Sequence, residues 1–363
     1  MRDDLMTRIN PFADLAVEPV INASGKMTAL GGSAQNDAIA QAQAAAAGSH
    51  VDLARLRQAA ATLIARRCGA EAACITSGAA AGLAIAVAAV VTGIELEKIQ
   101  RLPDVADSRR NVLLQAGHDI DFGAPIEQMI RLGGGRAEVV GTNDAVIRAD
   151  ILAAINANTV ALVHVLSHHC LQNDRLNLTQ MIDLAHKSNL PLIVDAAAEE
   201  DLLMPIAAGA DLVTYSGGKA IGGPTCGFIC GRRDLIEACE AQGRGIARAM
   251  KIGKEAIMGL VAALQIYPAP DNRAAVLDLL EAGLRQACRL AVSRITDRAG
   301  RAIERIAIHG SIEELKALIA HLEAGEPSIR TRNHQIRAGY VQLDPRELHL
   351  DQVPLIVDRF RTF

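Results

Sequence analysis

The chain predicts an α/β fold, a mostly parallel sheet with helices on both faces and a smaller C-terminal α+β domain, on three observations. Short strand-like runs alternate with helical stretches from residue 52 to beyond residue 233. The strand runs are apolar along their length, as strands buried on both faces must be. Half of the 363 residues are hydrophobic but only 2% are aromatic and none is Trp. A core of Ala, Val, Ile and Leu suits small-residue helices packed on a buried sheet.

Residues 1–48 read as an N-terminal arm with an apolar start at Val20-Ile21, a Gly31-Gly32 turn and an Ala/Gln-rich stretch. Helical spacing over 52–67 ends at Cys68-Gly69, where glycine closes a helix. A strand at 72–76 and a helix at 79–91 follow; then come a charged connector with Pro103 and a strand at 111–115. The helix expected at 124–132 is stopped by Gly133-Gly134-Gly135, before a strand at 137–140. Helices at 144–155 and 178–188 alternate with strands at 160–166 and 192–195. A short helix at 201–207 precedes strands at 212–215 and 228–230, and a helix starts at Arg233. Beyond residue 250 a helix at 254–266 ends at Tyr267-Pro268, charge rises through 271–307, and 328–344 alternates enough to supply strands. The expected division is an arm over 1–48, a large domain over 49–250 and a small domain over 251–363.

Composition narrows the function classes. The net charge is −4, from 37 basic and 41 acidic residues, with no basic run or aromatic-interleaved patch, so no nucleic-acid partner is expected. Seven cysteines without a CxxC pair read as reduced thiols of a cytoplasmic protein. The charged start at Met1-Arg2-Asp3-Asp4 has no apolar core behind it and is not read as a signal peptide. The uncharged stretch between Glu71 and Glu95 is interrupted by Thr76-Ser77-Gly78, so no membrane partner is expected either.

The chemistry centres on Lys219, in Ser216-Gly217-Gly218-Lys219-Ala220, after the apolar run at 212–215. A lysine held there by small residues can form a Schiff base with a carbonyl, whereas in most Gly-rich loops it is solvated surface. Earlier, Leu192-Ile193-Val194-Asp195 reads as a buried strand ending in a carboxylate. A pyridoxal 5'-phosphate (PLP) site needs both groups, the lysine for its aldehyde and the acid for its ring nitrogen. Thr76-Ser77-Gly78-Ala79 joins a strand to a helix N-terminus, whose free N–H groups suit a phosphate; the plainer reading of Ser77 is an N-cap. A P-loop does not fit, because Val213 stands at the first glycine position and Ala220 at the metal-binding hydroxyl.

His118 and His168 end further strands, where an imidazole either stacks on a flat cofactor or is a hydrogen-bonded loop residue. With His164 and His169 they lack metal-ligand spacing, so no metal is expected. Asn22, Ser24 and Lys26 form a polar cluster that reads as a site-reaching arm or a surface turn. Arg244, Arg248, Lys251 and Lys254 either meet an anion or solvate a helix face. Ligands of such sheets bind at the carboxyl ends of the strands, where Ser77, His118, His168, Asp195 and Lys219 all fall.

Together these stretches, with 20–25, 68–73 and 246–254, resemble fold-type I (aspartate aminotransferase-like) PLP enzymes. More narrowly they are similar to the group that holds the selenocysteine synthases, or seryl-tRNA selenium transferases, and the D-glucosaminate-6-phosphate ammonia-lyases. The resemblance covers residues 20–265 best. The selenium transferases carry an extra N-terminal tRNA-binding domain and a Gly/Arg-rich segment, whereas this chain has Ala46-Ala47-Gly48-Ser49-His50 in that region. Residues 22–28 and 248–254 look closer to the ammonia-lyase branch.

The resemblance implies a lyase that eliminates water and then ammonia from a small D-configured 2-amino-3-hydroxy acid, an amino acid or a phosphorylated amino-sugar acid. Lys219 and Asp195 would be catalytic; Thr76, Ser77, Gly78, Ala79, His118, His168 and Ser216 would join them in holding PLP; Asn22, Lys26 and Arg332 would bind substrate. A homo-oligomer is implied as well. An amino-acid racemase or epimerase is the rival with the same cofactor, and a tRNA-directed or non-catalytic protein the rival of another class.

Overall fold

Apolar runs between residues 72 and 231 form strands close to their expected positions, and further strands lie on either side of them: in chain order β1 (Val20–Ala23), β2 (Ala72–Thr76), β3 (Asn111–Gln115), β4 (Arg136–Val140), β5 (Thr159–Val165), β6 (Leu192–Asp195), β7 (Leu212–Ser216), β8 (Gly227–Gly231), β9 (Ala291–Thr296), β10 (Glu304–His309), β11 (Ser328–Thr331) and β12 (Tyr340–Leu343). This computed structural model describes residues 10–167, 170, 173–268, 273–297 and 303–363. The chain gathers into two compact units, 35–268, and 1–34 with 269–363.

In unit 35–268 seven strands form one sheet in the order β2-β8-β7-β6-β5-β3-β4. Every neighbouring pair is parallel except those made by β8, which runs against both β2 and β7. Side chains alternate across the sheet, so Leu113, Val194 and Val213 feed one buried cluster and Val112, Leu114 and Ile193 the other. The helix Ala79–Thr92 buries ten of its residues, five of them alanines; its Gly82 lies close enough that a Cβ would sit 3.3 Å from Thr214. Small side chains let that helix approach the sheet, which explains the poverty in aromatics. Among the described residues no helix is long and apolar enough to cross a membrane.

Local signals set the helix ends. Asp52 caps Leu53–Cys68 by accepting from Ala54 and Arg55 N–H, and Gly69 ends it at φ +65°. The helix expected over 124–132 begins only at Ile126, because Pro125 is its N-cap. That expected over 144–155 shrinks to Arg148–Ala154, since Thr142 and Ala145 form a turn and Val146 N–H is drawn to Asp174 O.

The other unit holds a three-stranded antiparallel sheet, β12-β10-β9, and the parallel pair β1-β11, with a core from Ile306, Ile308, Val341, Leu280 and Phe360. The grouping differs from the expected 1–48, 49–250 and 251–363. Val20–Ala23 is not a free arm but pairs with Ser328–Thr331. The helix Asp37–Ala47 packs instead on Lys254–Ile266, which carries the larger unit on to Pro268.

Candidate active site

The parallel strands bring five chain positions to one edge of the sheet. Thr76, Gln115, Val165, Asp195 and Ser216 each end a strand there. Antiparallel β8 starts at the same edge, so Gly227 stands opposite both Thr76 and Ser216. The expected residues of the larger unit, Thr76 to Ala79, Asp195, Ser216 and Lys219, therefore belong to one sheet edge.

The turn after β2 has the character of an anion cup. Thr76 Oγ1 donates to Gly78 O at 2.9 Å, which folds the backbone tightly. The helix Ala79–Thr92 then begins with no side-chain cap on its N-cap residue, Gly78, and a Cβ built on Gly78 would meet nothing within 4 Å. No side chain of the N-cap residue satisfies the first N–H groups, which carry the helix's positive dipole end. Gly227 forms the floor: a Cβ there would lie 2.5 Å from Gly78 C and 2.8 Å from Ala79 N. No side chain fits between β8 and the turn. Sequence reasoning did not single out Gly227, although a glycine just after the lysine loop was the available signal.

Asp195 is 6% exposed. Its Oδ1 accepts from Ala197 N–H at 3.0 Å, and its strand faces Thr214 across β7. Burial pushes the carboxyl above its ordinary value, against the opposing pull of the Ala197 N–H, the Lys219 charge and the Thr214 side chain. Lys219 is thus within electrostatic reach of Asp195. The lysine's loop is closed by backbone bonds from Gly217 N–H to Cys226 O (2.8 Å), Gly223 N–H to Gly217 O (2.7 Å) and Gly222 N–H to Lys219 O (3.1 Å). A half-buried lysine on a loop closed by backbone bonds, a buried carboxylate and a helix N-terminus without a side-chain cap are groups that suit the aldehyde, ring nitrogen and phosphate of PLP. The donor set fits the cofactor.

His118 is held by hydrogen bonding. It is 1% exposed, its Nδ1 accepts Val165 N–H at 3.1 Å, and its ring tilts against His164 at 4.6 Å. It therefore braces the end of β5 beside the site. Gln115 locks the neighbouring turn, exchanging bonds with the backbone of Leu176 at 2.9 and 3.1 Å. Burial, reinforced by Arg175, lowers His118 to about 4, and burial takes His164 to about 3, so both stay neutral. His168 lies outside the described residues.

Asn22, Lys26 and Arg332 all belong to the other unit. Asn22 Nδ2 donates to Gly25 O at 2.9 Å, and its Oδ1 accepts from the Ser24 N–H and hydroxyl. Lys26 pairs with Glu347 at 3.5 Å. Arg332 exchanges backbone bonds with Gln342, and burial together with neighbouring guanidiniums lowers it from its ordinary value.

Comparison with known proteins places this geometry among relatives. The family described as L-seryl-tRNA selenium transferase matches residues 20–351. A D-glucosaminate-6-phosphate ammonia lyase from Salmonella typhimurium is 43% identical over 358 residues, 97% of each chain. A 5'-C-glycyluridine monooxygenase-decarboxylase from a Streptomyces species is 40% identical over 360 residues, 96% of this chain and 90% of that one. An L-seryl-tRNA(Sec) selenium transferase from Salmonella paratyphi A is 27% identical over 328 residues, 81% of this chain and 67% of its own. The solved structure of a D-glucosaminate-6-phosphate ammonia-lyase superposes with a TM-score of 0.92 at 42% identity, over 98% of both chains. An aspartate aminotransferase from Thermus thermophilus, at TM-score 0.53 and 17% identity, covers 97% of this chain and 93% of its own and shares the fold alone. The architecture is therefore the fold of the type I PLP enzymes.

Proposed function

The chain belongs to the L-seryl-tRNA selenium transferase family, and on that premise we propose that it is a PLP-dependent ammonia-lyase, cytoplasmic and homo-oligomeric. It removes water and then ammonia from a small D-configured 2-amino-3-hydroxy acid, D-glucosaminate 6-phosphate being the first candidate, and gives a 2-keto acid. The observation that carries this reading is that buried Asp195 and the backbone-bonded Lys219 loop both lie at the carboxyl edge of one sheet. The near-full-length ammonia-lyase relative supports the reaction type.

Thr76, Ser77, Gly78, Ala79 and Ser216 would hold the cofactor phosphate, and Lys219 Nζ would hold its aldehyde. PLP, when bound, supplies a protonated ring that accepts the electron pair released at Cα. Asp195 keeps the proton on the ring nitrogen. Lys219 Nζ takes the Cα proton and delivers a proton to the β-hydroxyl as it leaves as water. The resulting enamine hydrolyses to the 2-keto acid and ammonia, so the water lost in one step is regained in the next. Asn22, Lys26 and Arg332 bind the anionic groups of the substrate.

The 40% identical relative favours one competing reading, an oxygen-consuming decarboxylation of 5'-C-glycyluridine. The test is to give PLP-loaded protein each substrate with and without air. Equal amounts of keto acid and ammonia from the amino-sugar acid without oxygen support the lyase. Oxygen uptake with carbon dioxide release from the glycyluridine supports the other activity, and Cα deuterium exchange without ammonia a racemase. Lys219→Ala is expected to lower elimination by about 10³-fold or more, because it removes both the holding group and the base.

A further inference from the structure

Asp344 follows β12 with no exposed surface and takes four hydrogen bonds on its carboxylate. Arg305 Nε donates to Oδ2 at 2.6 Å; Arg346 donates its backbone N–H and Nε to Oδ1 and its Nη2 to Oδ2 at 2.9–3.1 Å. The Asp344 N–H donates to Ala23 O at 2.8 Å, which ties this segment to the end of β1.

The same carboxylate shapes the turn over residues 22–26. Gly25 sits at φ +82°, and a Cβ there would lie 2.8 Å from Asp344 Oδ2. Asn22 closes that turn onto Gly25 O, and Lys26 leaves it to meet Glu347. On the other side, the Arg332 guanidinium lies within electrostatic reach of Arg305, Arg346, Asp344 and Asp297. Segments some 300 residues apart in sequence thus converge on one buried carboxylate that itself has no surface to offer a ligand.

We propose that Asp344 is the positioning residue of the smaller unit's anion-binding groups: it fixes the Asn22–Lys26 turn and the Arg305–Arg346 pair beside Arg332 in one arrangement, without touching the substrate. The inference rests on the lyase reading for the identity of the anion, and its geometry stands apart from it.

Charge and position make opposite forecasts for Asp344→Asn. If the residue acted by charge alone, neutralising it would leave the surrounding cations in greater excess and tighten anion binding. If it positions, the freed guanidiniums and the turn lose their common anchor and binding weakens. In PLP-loaded full chain, Asp344→Asn is expected to raise KM about tenfold while kcat changes by less than about threefold. Gly25→Ala, which pushes a Cβ against the same carboxylate, is expected to shift KM in the same direction, and it carries the test if Asp344→Asn does not fold.

Calorimetric titration with inorganic phosphate reads the cluster without turnover: affinity is expected to fall about tenfold in both variants. A lower KM or tighter phosphate binding in Asp344→Asn overturns the proposal, as does a kcat loss with KM unchanged. A wild-type protein that turns over no amino acid but loses phosphate affinity on substitution removes the lyase reading and keeps this one. A wild-type protein that neither binds phosphate nor has a KM to shift removes both.

Discussion

Asp195 and Asp344 are both buried carboxylates at the end of a strand, and the two units treat them oppositely. At the carboxyl edge of the seven-stranded sheet, burial outweighs the groups that face Asp195, and its pKa is raised. In the smaller unit Arg346 and Arg305 overcome a burial of the same kind, and Asp344 is held down at about 2. A carboxylate saturated by guanidiniums is finished structure; one left under-compensated retains capacity for a cation. That difference separates the two carboxylates more sharply than burial alone does.

The comparison is broken most directly through kcat. Asp195→Asn preserves shape but cannot stabilise a protonated ring nitrogen, so kcat is expected to fall about 10²-fold or more with KM little moved. Asp344→Asn is expected to do the reverse. Steady-state keto-acid release by the two variants, side by side, checks this. A kcat retained in Asp195→Asn would strip that residue of its role and make the two carboxylates equivalent.

The same contrast explains what the sequence made legible. The sheet was readable because each strand of the larger unit is a contiguous apolar run: 72–76, 111–115 and 192–195 are observed as expected. Lys219 and Asp195 stood out as candidates because a lone ionisable residue beside such a run is conspicuous. The smaller unit was not. β1 pairs with β11 across more than 300 residues, and no local pattern encodes that register. β9 and β10 lie in a stretch read only as charged, because Arg294 and Arg305 sit within the strands and are neutralised by partners distant in sequence. Arg332 was named for its type and place, while Asp344, which organises its surroundings, reads in sequence as an ordinary turn acid. His118 was left open between two readings because a strand-end position does not say which way a ring faces; here its Nδ1 accepts the Val165 N–H.

A second test sharpens the cofactor side. Gly227→Ala would press a Cβ against the backbone of Gly78, Ala79 and Tyr215 at 2.5–2.8 Å, and none of those atoms is the end of a flexible side chain. The phosphate turn must lift off β8. PLP affinity, measured by absorbance titration, is expected to fall about tenfold, with a stability loss of about 1–3 kcal/mol. Unchanged PLP affinity in a folded variant would mean that the turn after β2 does not hold the phosphate.

The smallest effects have opposite signs and are read from unfolding at different pH without PLP. For Asp344, a folded pKa of about 2 against an ordinary 3.8 contributes about 2 kcal/mol above pH 4. That contribution disappears as the pH falls from about 4 to about 2, because the carboxyl must then be protonated in both states. Asp344→Asn is therefore expected to unfold more easily at neutral pH, and its deficit should narrow through this acid window. Asp195 runs the other way: its raised pKa means that the ionised form burdens the folded state at neutral pH, and the burden vanishes as the pH falls toward the ordinary value of 3.8. Asp195→Asn should accordingly match or exceed the wild type in thermal midpoint at neutral pH and lose that advantage in acid. Saturating PLP should reverse the order, because the cofactor's ring nitrogen gives only the wild-type carboxylate a cationic partner. An Asp195→Asn midpoint that falls without PLP, as that of Asp344→Asn does, would show that both carboxylates are structural and erase the contrast.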